Sequence, residues 1–292
     1  MSGDLSVEAS SNPARLVRGP GDAVGGRYPS RPAVTGRRTP FTGPGPLLFA
    51  RYAYPPNALG LCGADQPRTL LEYGQERASD PGLAELARTF EGAWPYLTLI
   101  AECNGLADPL DSRVVGAYWV GNELLWRVPP VSLASHVADR FHGTIGRAEK
   151  WVFDVIAAGA VPHHCFHVFA VYPWIGLLRT GIVDEPLRIL DRCRTAPAVV
   201  VEREGALVTV RTRPLRWHDG RLSLAESTLR TVRWQEAGLA FIDPPQAGDI
   251  VVLHWDFVCD RVTPRQAWTL LRITERLLRA VNGAGVAAAA LG

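Results

Sequence analysis

The spacing of apolar residues changes once along the chain, close to residue 193. Upstream of that point apolar residues recur every three or four positions, which predicts amphipathic helices. The run 83–90, for example, follows Asp80-Pro81, a pair that is typical of a helix start. Downstream, short β-branched runs are separated by turn residues, which predicts strands. The pattern therefore predicts an α+β fold whose N-terminal domain is mainly helical.

Five runs in the second region predict the strands of a small OB-like β-barrel. They cover residues 198–202, 206–213, 221–224, 228–234 and 249–257. The pair Thr263-Pro264 then predicts the start of a C-terminal helix. Because this helix is amphipathic, we expect its apolar face to pack on the five-stranded barrel.

These patterns divide the chain into four predicted segments. Residues 1–46 are rich in Gly, Pro, Ser and Arg without periodic apolar positions, so we expect a disordered tail there. We expect a helical domain at residues 47–192 and the barrel with its C-terminal helix at residues 193–283. Residues 284–292 are predicted to form a flexible tail.

Composition narrows the classes of partner and location. The chain has 292 residues, of which 47% are hydrophobic and 21% charged, and its formal net charge is +2. So small a charge argues against a nucleic-acid partner or a membrane surface. No stretch reaches the roughly 18 uninterrupted apolar residues of a transmembrane helix. The five cysteines are scattered and odd in number, which is not typical of a disulfide framework and favours a cytoplasmic location.

Two groups of residues carry candidate metal chemistry, and the first is a distant pair. Cys193 precedes the first predicted strand, and His254 lies in the last one, where alternation places it on the same face as Asp256. A thiolate and an imidazole together suit a soft or borderline transition metal. Arg192 and Arg194 flank the cysteine, and we expect their charges to favour its thiolate.

The second group is a cluster of three imidazoles and a thiol, formed by His163, His164, Cys165 and His167. On a helix His163 and His167 share a face, a spacing that can place two imidazoles on one metal. The strongly apolar residues that follow equally favour a structural role for the cluster. Cys193 and His254, each taken alone, are also typical of a buried thiol and a hydrogen-bonded core histidine. Metal-binding and structural interpretations both stay open at this point.

The distant pair carries a resemblance to a known family. The runs Cys193-Arg-Thr-Ala-Pro-Ala-Val-Val-Val-Glu202 and Gly248-Asp-Ile-Val-Val-Leu-His254 resemble the two ends of the barrel in the HypC/HupF family of hydrogenase maturation chaperones. In that family Cys-x-x-x-Pro-Gly-x-x-x-Glu opens the barrel and Gly-Asp-Tyr-Val-x-Val-His closes it before a C-terminal helix. Here Ala198 stands at the glycine position, and the cysteine lies far inside the chain.

The resemblance implies a carrier. Members of the family are understood to hold an iron–cyanide–carbonyl unit together with a maturation scaffold protein, and to deliver it to the large-subunit precursor of a nickel–iron hydrogenase. Carried over to this chain, the resemblance implies that Cys193 and His254 bind this iron, or nickel, and that the precursor and the scaffold protein are the partners. The whole chain also looks similar to an uncharacterised actinobacterial family associated with hydrogenase gene clusters.

We therefore predict a non-enzymatic accessory chaperone for hydrogenase maturation, with the helical domain as its docking module. One alternative is a metal-dependent enzyme built on the His163–His167 cluster, with help from His254 or Asp256. Another is a protein-interaction module that binds no metal. The position of Cys193 relative to His254 distinguishes the carrier from the other two.

Overall fold

A helical region, a mixed five-stranded sheet and a long final helix follow one another along the chain, as predicted for the α+β fold. The computed structural model describes residues 40–76 and 80–290. The predicted disordered tail at residues 1–46 therefore lies mostly outside the described residues, and the first helix already begins at Gly45.

Eleven α-helices occur among the described residues. They are α1 (Gly45–Ala58), α2 (Pro67–Glu76), α3 (Pro81–Arg88), α4 (Trp94–Cys103), α5 (Ser112–Trp119), α6 (Pro130–Ile145), α7 (Glu149–Ala157), α8 (His164–Phe166), α9 (Trp174–Arg179), α10 (Asp184–Cys193) and α11 (Pro264–Ala290). Two short 3-10 segments lie at Glu123–Arg127 and Gly146–Ala148, and a π-helical segment at His167–Val171 follows α8 directly.

Predicted capping signals place several of these helices. The Asp80 side chain accepts a hydrogen bond from the Leu83 backbone N–H at 3.1 Å, with Pro81 at the first helical position of α3. At the start of α11, Thr263 and Gln266 form a reciprocal capping box. This last helix continues to Ala290, so residues 284–290 of the predicted flexible tail are helical.

The strands form one closed sheet and two small hairpins. They are β1 (Ala196–Glu204), β2 (Leu207–Thr212), β3 (Leu215–His218), β4 (Arg221–Leu224), β5 (Thr228–Arg233), β6 (Gln235–Glu236), β7 (Leu239–Ala240), β8 (Ile250–His254) and β9 (Phe257–Arg261). The closed sheet has the order β1-β2-β5-β9-β8, with β8 paired back to β1. Its closure between β5 and β9 is a single parallel pair, Arg233 with Phe257.

The closed sheet has five strands, as the sequence predicts, but two of the predicted strands differ from those that form it. The predicted strand 249–257 is two strands, because a tight turn at Trp255 and Asp256 separates β8 from β9. The predicted strand 221–224 is β4, which pairs with β3 outside the closed sheet. The sequence contains no glycine at the turn after His254, so the apolar alternation looks continuous there.

The two faces of β8 connect the sheet to the helices. Val251 and Leu253 belong to the apolar interior of the closed sheet, whereas Val252 belongs to the core shared with the helices. Because side chains alternate along a strand, His254 lies on the same outer face as Val252 and points towards the helical region. The described residues belong to one compact unit. None of their helices is long and apolar enough to cross a membrane.

Candidate metal centre

Three buried side chains from distant parts of the chain converge between the helices and the outer face of the sheet. One ligand atom each from His164, Cys193 and His254 lies within 4.8 Å of the other two. The imidazole rings of His164 and His254 are 4.9 Å apart, centroid to centroid. The described residues thus contain a group of two nitrogens and one sulfur that could bind a metal ion.

Strand pairing explains how Cys193 reaches His254. In the antiparallel pair of β1 and β8, Ala196 lies opposite Leu253. Extending this register places the residues before Ala196 beside the end of β8, and the Trp255 backbone N–H donates to the Arg192 carbonyl oxygen at 2.8 Å. The pairing of β1 with β8 therefore brings Cys193 close to His254, although the two residues are far apart in sequence.

His254 is oriented by a carbonyl group of α1. Its Nδ1–H donates to the Tyr52 carbonyl oxygen at 2.7 Å, so Nε2 carries the lone pair. In an α-helix this carbonyl would accept from the N–H four residues later, but that residue is Pro56, which has none. Pro55 likewise offers no N–H. The two prolines leave the Tyr52 carbonyl available for His254.

The other nitrogen of His254 is the least satisfied polar atom of the group. His254 is 1% exposed, and its Nε2 has no hydrogen-bond partner. Burial lowers the pKa of His254 to about 4, so this nitrogen keeps its lone pair at neutral pH. A histidine that donates one N–H to a backbone carbonyl and presents its other nitrogen is typical of metal ligands.

His164 is held at both ring nitrogens. Its Nε2–H donates to the Cys193 carbonyl oxygen at 2.7 Å, and its Nδ1 lies 3.3 Å from the Tyr118 hydroxyl. Burial and then the neighbouring His254 lower the pKa of His164 well below its ordinary value. The imidazole is therefore neutral, and a metal bound to it replaces one of these two hydrogen bonds.

The thiol of Cys193 is protonated when no metal is present. Burial, followed by the nearby Cys62, raises its pKa, while the Trp255 indole acts in the opposite direction. The sequence-based expectation that Arg192 and Arg194 favour the thiolate is wrong, because both guanidinium groups are used elsewhere. Arg192 pairs with Asp256 at 3.0 Å, and Arg194 pairs with Asp191 at 3.0 Å. Metal binding must therefore release the thiol proton.

The donor set limits the metals that it suits. Two imidazoles and one thiolate are borderline-to-soft ligands, which suit zinc, iron, nickel, cobalt or copper rather than magnesium or calcium. Three protein ligands leave at least one coordination position for a further ligand. The group therefore fits a metal that exchanges or carries other ligands better than a closed structural site.

A cavity of about 270 Å³ adjoins the three ligands. Its wall is mostly aromatic and aliphatic and includes Phe90, Tyr118, Trp119, Tyr172 and Trp255. Trp119 contacts both imidazoles, with ring centroids 4.6 Å from His164 and 5.4 Å from His254. This space is available to whatever occupies the remaining coordination positions.

Only His164 of the predicted four-residue cluster belongs to the metal group. The cluster does not form one regular helix, because the three-residue α8 passes into the π-helical segment, so the predicted common face of His163 and His167 does not exist. His163 Nδ1 accepts from the Cys165 backbone N–H at 3.0 Å. The Cys165 sulfur lies 3.7 Å from the Thr195 hydroxyl, and His167 Nδ1 lies 3.2 Å from the Tyr96 hydroxyl.

Asp256 does not share the ligand face that alternation predicts. Trp255 and Asp256 both have positive φ, at 48° and 58°, and form the two-residue turn between β8 and β9. The Asp256 carboxylate pairs with Arg192 at 3.0 Å and with Arg230 at 3.6 Å. It fixes the turn that carries Trp255, so the enzyme alternative loses its acidic residue.

Comparison with known proteins identifies a family but no function. The model of a family of unknown function, DUF6390, matches residues 41–288, which is most of the chain. No curated protein and no solved structure matches the sequence. Any functional conclusion therefore depends on the chemistry of the described residues.

Proposed function

The chain belongs to the DUF6390 family of unknown function, and we propose that it is a metal-carrying assembly factor for a nickel–iron hydrogenase. One observation carries the proposal. Cys193 and His254, the residues that resemble the HypC/HupF motif, lie in one buried group with His164, and the His254 Nε2 atom has no partner. A buried nitrogen without a partner is costly, and a metal ion compensates that cost.

The cavity chemistry favours a carrier over an enzyme. No carboxylate occurs among the described residues that line it, so a metal-bound water there has no neighbouring acidic general base. The largely apolar wall instead suits a metal whose remaining positions are already occupied by small, tightly bound ligands. An iron unit with carbonyl and cyanide ligands has this character, and nickel is the alternative cargo.

Hydrogen-bond donors on the cavity wall support the cyanide-bearing form of this cargo. The Trp255 indole N–H lies close enough to Cys193 to lower the pKa of that thiol, and the Tyr118 and Tyr172 side chains also line the cavity. A cyanide nitrogen accepts hydrogen bonds more strongly than a carbonyl oxygen does. The proposed partners are the large-subunit precursor and the maturation scaffold protein, in a reducing cytoplasm that keeps Cys193 a thiol.

The decisive experiment replaces the ligands in the native host. We expect Cys193→Ala and His254→Ala each to abolish hydrogenase activity and to leave the large-subunit precursor unprocessed, while the purified variants lose bound iron or nickel. Cys165→Ala is the matched control, because it removes a buried thiol beside the group without removing a ligand. Full hydrogenase activity in both ligand variants would remove the hydrogenase role.

A metal-dependent enzyme is the second candidate, because the three-ligand group leaves a position open beside a cavity. It predicts that the zinc-loaded protein hydrolyses a small activated ester and that Cys193→Ser abolishes this activity. Absence of hydrolysis by a stoichiometrically loaded protein would eliminate this candidate while leaving the carrier proposal intact.

A further inference from the structure

A second, larger cavity shares part of its wall with the cavity at the metal group. It has a volume of about 680 Å³, and its wall includes the exposed residues Arg88, Thr89, Glu91 and Arg140. Five residues line both cavities, namely Leu61, Cys62, Gly92, His167 and Tyr172. These five residues, which we call the constriction, belong both to the wall of the larger cavity, the outer chamber, and to the wall of the cavity at the ligands.

Cys62 carries the only thiol among the constriction residues. The Asn57 side chain fixes its loop, donating to the Cys62 carbonyl oxygen at 2.8 Å and to the Ala64 carbonyl oxygen at 2.6 Å. Cys62 and Cys193 both line the cavity at the metal group. His254, whose Nε2 has no partner, also lines this cavity. One thiol, that of Cys62, therefore belongs to the walls of both cavities, and a second, that of Cys193, belongs to the inner cavity alone.

Gly92 keeps the constriction open. A Cβ atom at this position would lie 3.2 Å from His167 Nε2 and 3.7 Å from the Tyr172 hydroxyl oxygen. The His167 ring contacts Tyr172 with a centroid distance of 4.5 Å, so neither side chain can retreat easily. The backbone of Gly92 does not have positive φ, so alanine is tolerated there conformationally and acts by narrowing the opening.

We propose that the metal enters and leaves through this constriction, and that Cys62 is the transfer ligand that passes it to and from His164, Cys193 and His254. This inference rests on the proposed metal site. During loading, the Cys62 thiol loses its proton to solvent in the outer chamber and binds the metal as thiolate. The Cys193 thiolate then replaces it on the metal, and the Cys193 proton moves to the Cys62 sulfur. No electron is transferred, and one proton is released in total.

The test measures rates and affinity separately with Co²⁺ and Zn²⁺ alone. Loading is followed by the sulfur-to-cobalt absorption band in stopped flow, and release by transfer of Zn²⁺ to a chromophoric chelator. The variants are Cys62→Ser and Gly92→Ala. Their matched controls are Cys103→Ser, another partly exposed free cysteine, and Gly176→Ala, where an added Cβ meets open space.

We expect both test variants to slow loading and release at least tenfold while the dissociation constant changes less than threefold, and both controls to behave like the parent protein. Circular dichroism and thermal melting of each variant establish that it is folded. Unchanged rates in Gly92→Ala would overturn the route, and unchanged rates in Cys62→Ser would overturn the transfer ligand. A weakened affinity in Cys62→Ser would make Cys62 a resident ligand and also overturn transfer. If the parent protein binds neither metal, the proposed function fails instead.

Discussion

Two buried polar clusters meet near the end of α10, and they are built in opposite ways. The Asp191 carboxylate accepts hydrogen bonds from Arg194 at 3.0 Å, from the Leu215 backbone N–H at 2.8 Å, and from Arg230. Two residues further along, Cys193 joins a group without any carboxylate, in which one buried nitrogen has no partner.

The difference separates a structural role from a functional one. A buried charge is retained when its hydrogen bonds are satisfied, and the Asp191 cluster connects α10 to β3 and β5 in this way. The metal group contributes little hydrogen-bond stabilisation to the metal-free fold, because its side chains are neutral and form only part of the hydrogen bonds that they could form. The first cluster therefore stabilises the fold, whereas the second has the unsatisfied donor set of a group that could bind a metal.

The largest effect should come from acid, which protonates His254 of the metal group and the neighbouring buried His163 and His167 but leaves the Asp191 cluster charged. Burial lowers the pKa of His163 to about 3, of His167 to about 3 and of His254 to about 4. Each folded-state pKa lies below the ordinary value of about 6.5, so stability is complete above that pH and falls as pH decreases towards the folded value. At pH 5 the loss is roughly 2 kcal/mol per histidine, or about 6 kcal/mol for the three.

One carboxyl group opposes this trend in part. Burial raises the pKa of Asp260 to about 6, so its contribution to stability increases as pH falls from 6. Asp191 behaves differently again: burial raises its pKa, but Arg194 and Arg230 lower it more, and its contribution is lost only below about pH 4. Urea unfolding of the metal-free protein between pH 7.5 and 5 should show a steep loss. A free energy of unfolding that stays constant across this range would contradict the assignment of neutral buried imidazoles.

The second largest effect should come from a substitution in the Asp191 cluster, in which the hydrogen bonds of the buried charge are satisfied. Asp191→Ala removes the carboxylate that pairs with the buried Arg194 and leaves Arg230 with Asp256 alone, and we expect unfolding to become easier by about 3–5 kcal/mol. Metal stoichiometry should be unchanged once the variant is folded. The control is Glu185→Ala, which removes an exposed ion pair with Arg188 on the same helix and should leave the melting temperature unchanged. Equal melting temperatures for the two variants would refute the structural role of Asp191.

The sequence predicts the fold class from its periodicity, and it singles out Cys193 and His254 by their resemblance to the HypC/HupF motif. Cys193 precedes the first strand and His254 lies in a later one, so antiparallel pairing within the predicted barrel is enough to bring them together. The third ligand is different: His164 cannot be separated from its three neighbours by periodicity, because a π-helical segment interrupts the helix. The contact between His254 and the Tyr52 carbonyl joins residues that are 202 positions apart, and no periodic pattern in the sequence indicates it. The hydrogenase partner stays a prediction.

One sequence feature does relate to this contact, namely the proline pair in α1. Substitution of Pro56 should have the smallest of the predicted effects, and it should act on metal affinity. In Pro56→Ala the new N–H points at the Tyr52 carbonyl oxygen and competes with His254 for it. His254 then loses part of the hydrogen bond that fixes its tautomer, and we expect metal affinity to fall about tenfold, in the range of outer-shell substitutions. Pro55→Ala is the matched control, since its N–H points at the Arg51 carbonyl in a regular helix. Chelator competition with Zn²⁺ measures both dissociation constants. Equal affinities for the two variants would mean that the Tyr52 carbonyl does not orient His254, and the metal group would then depend on Cys193 and His164 for its geometry.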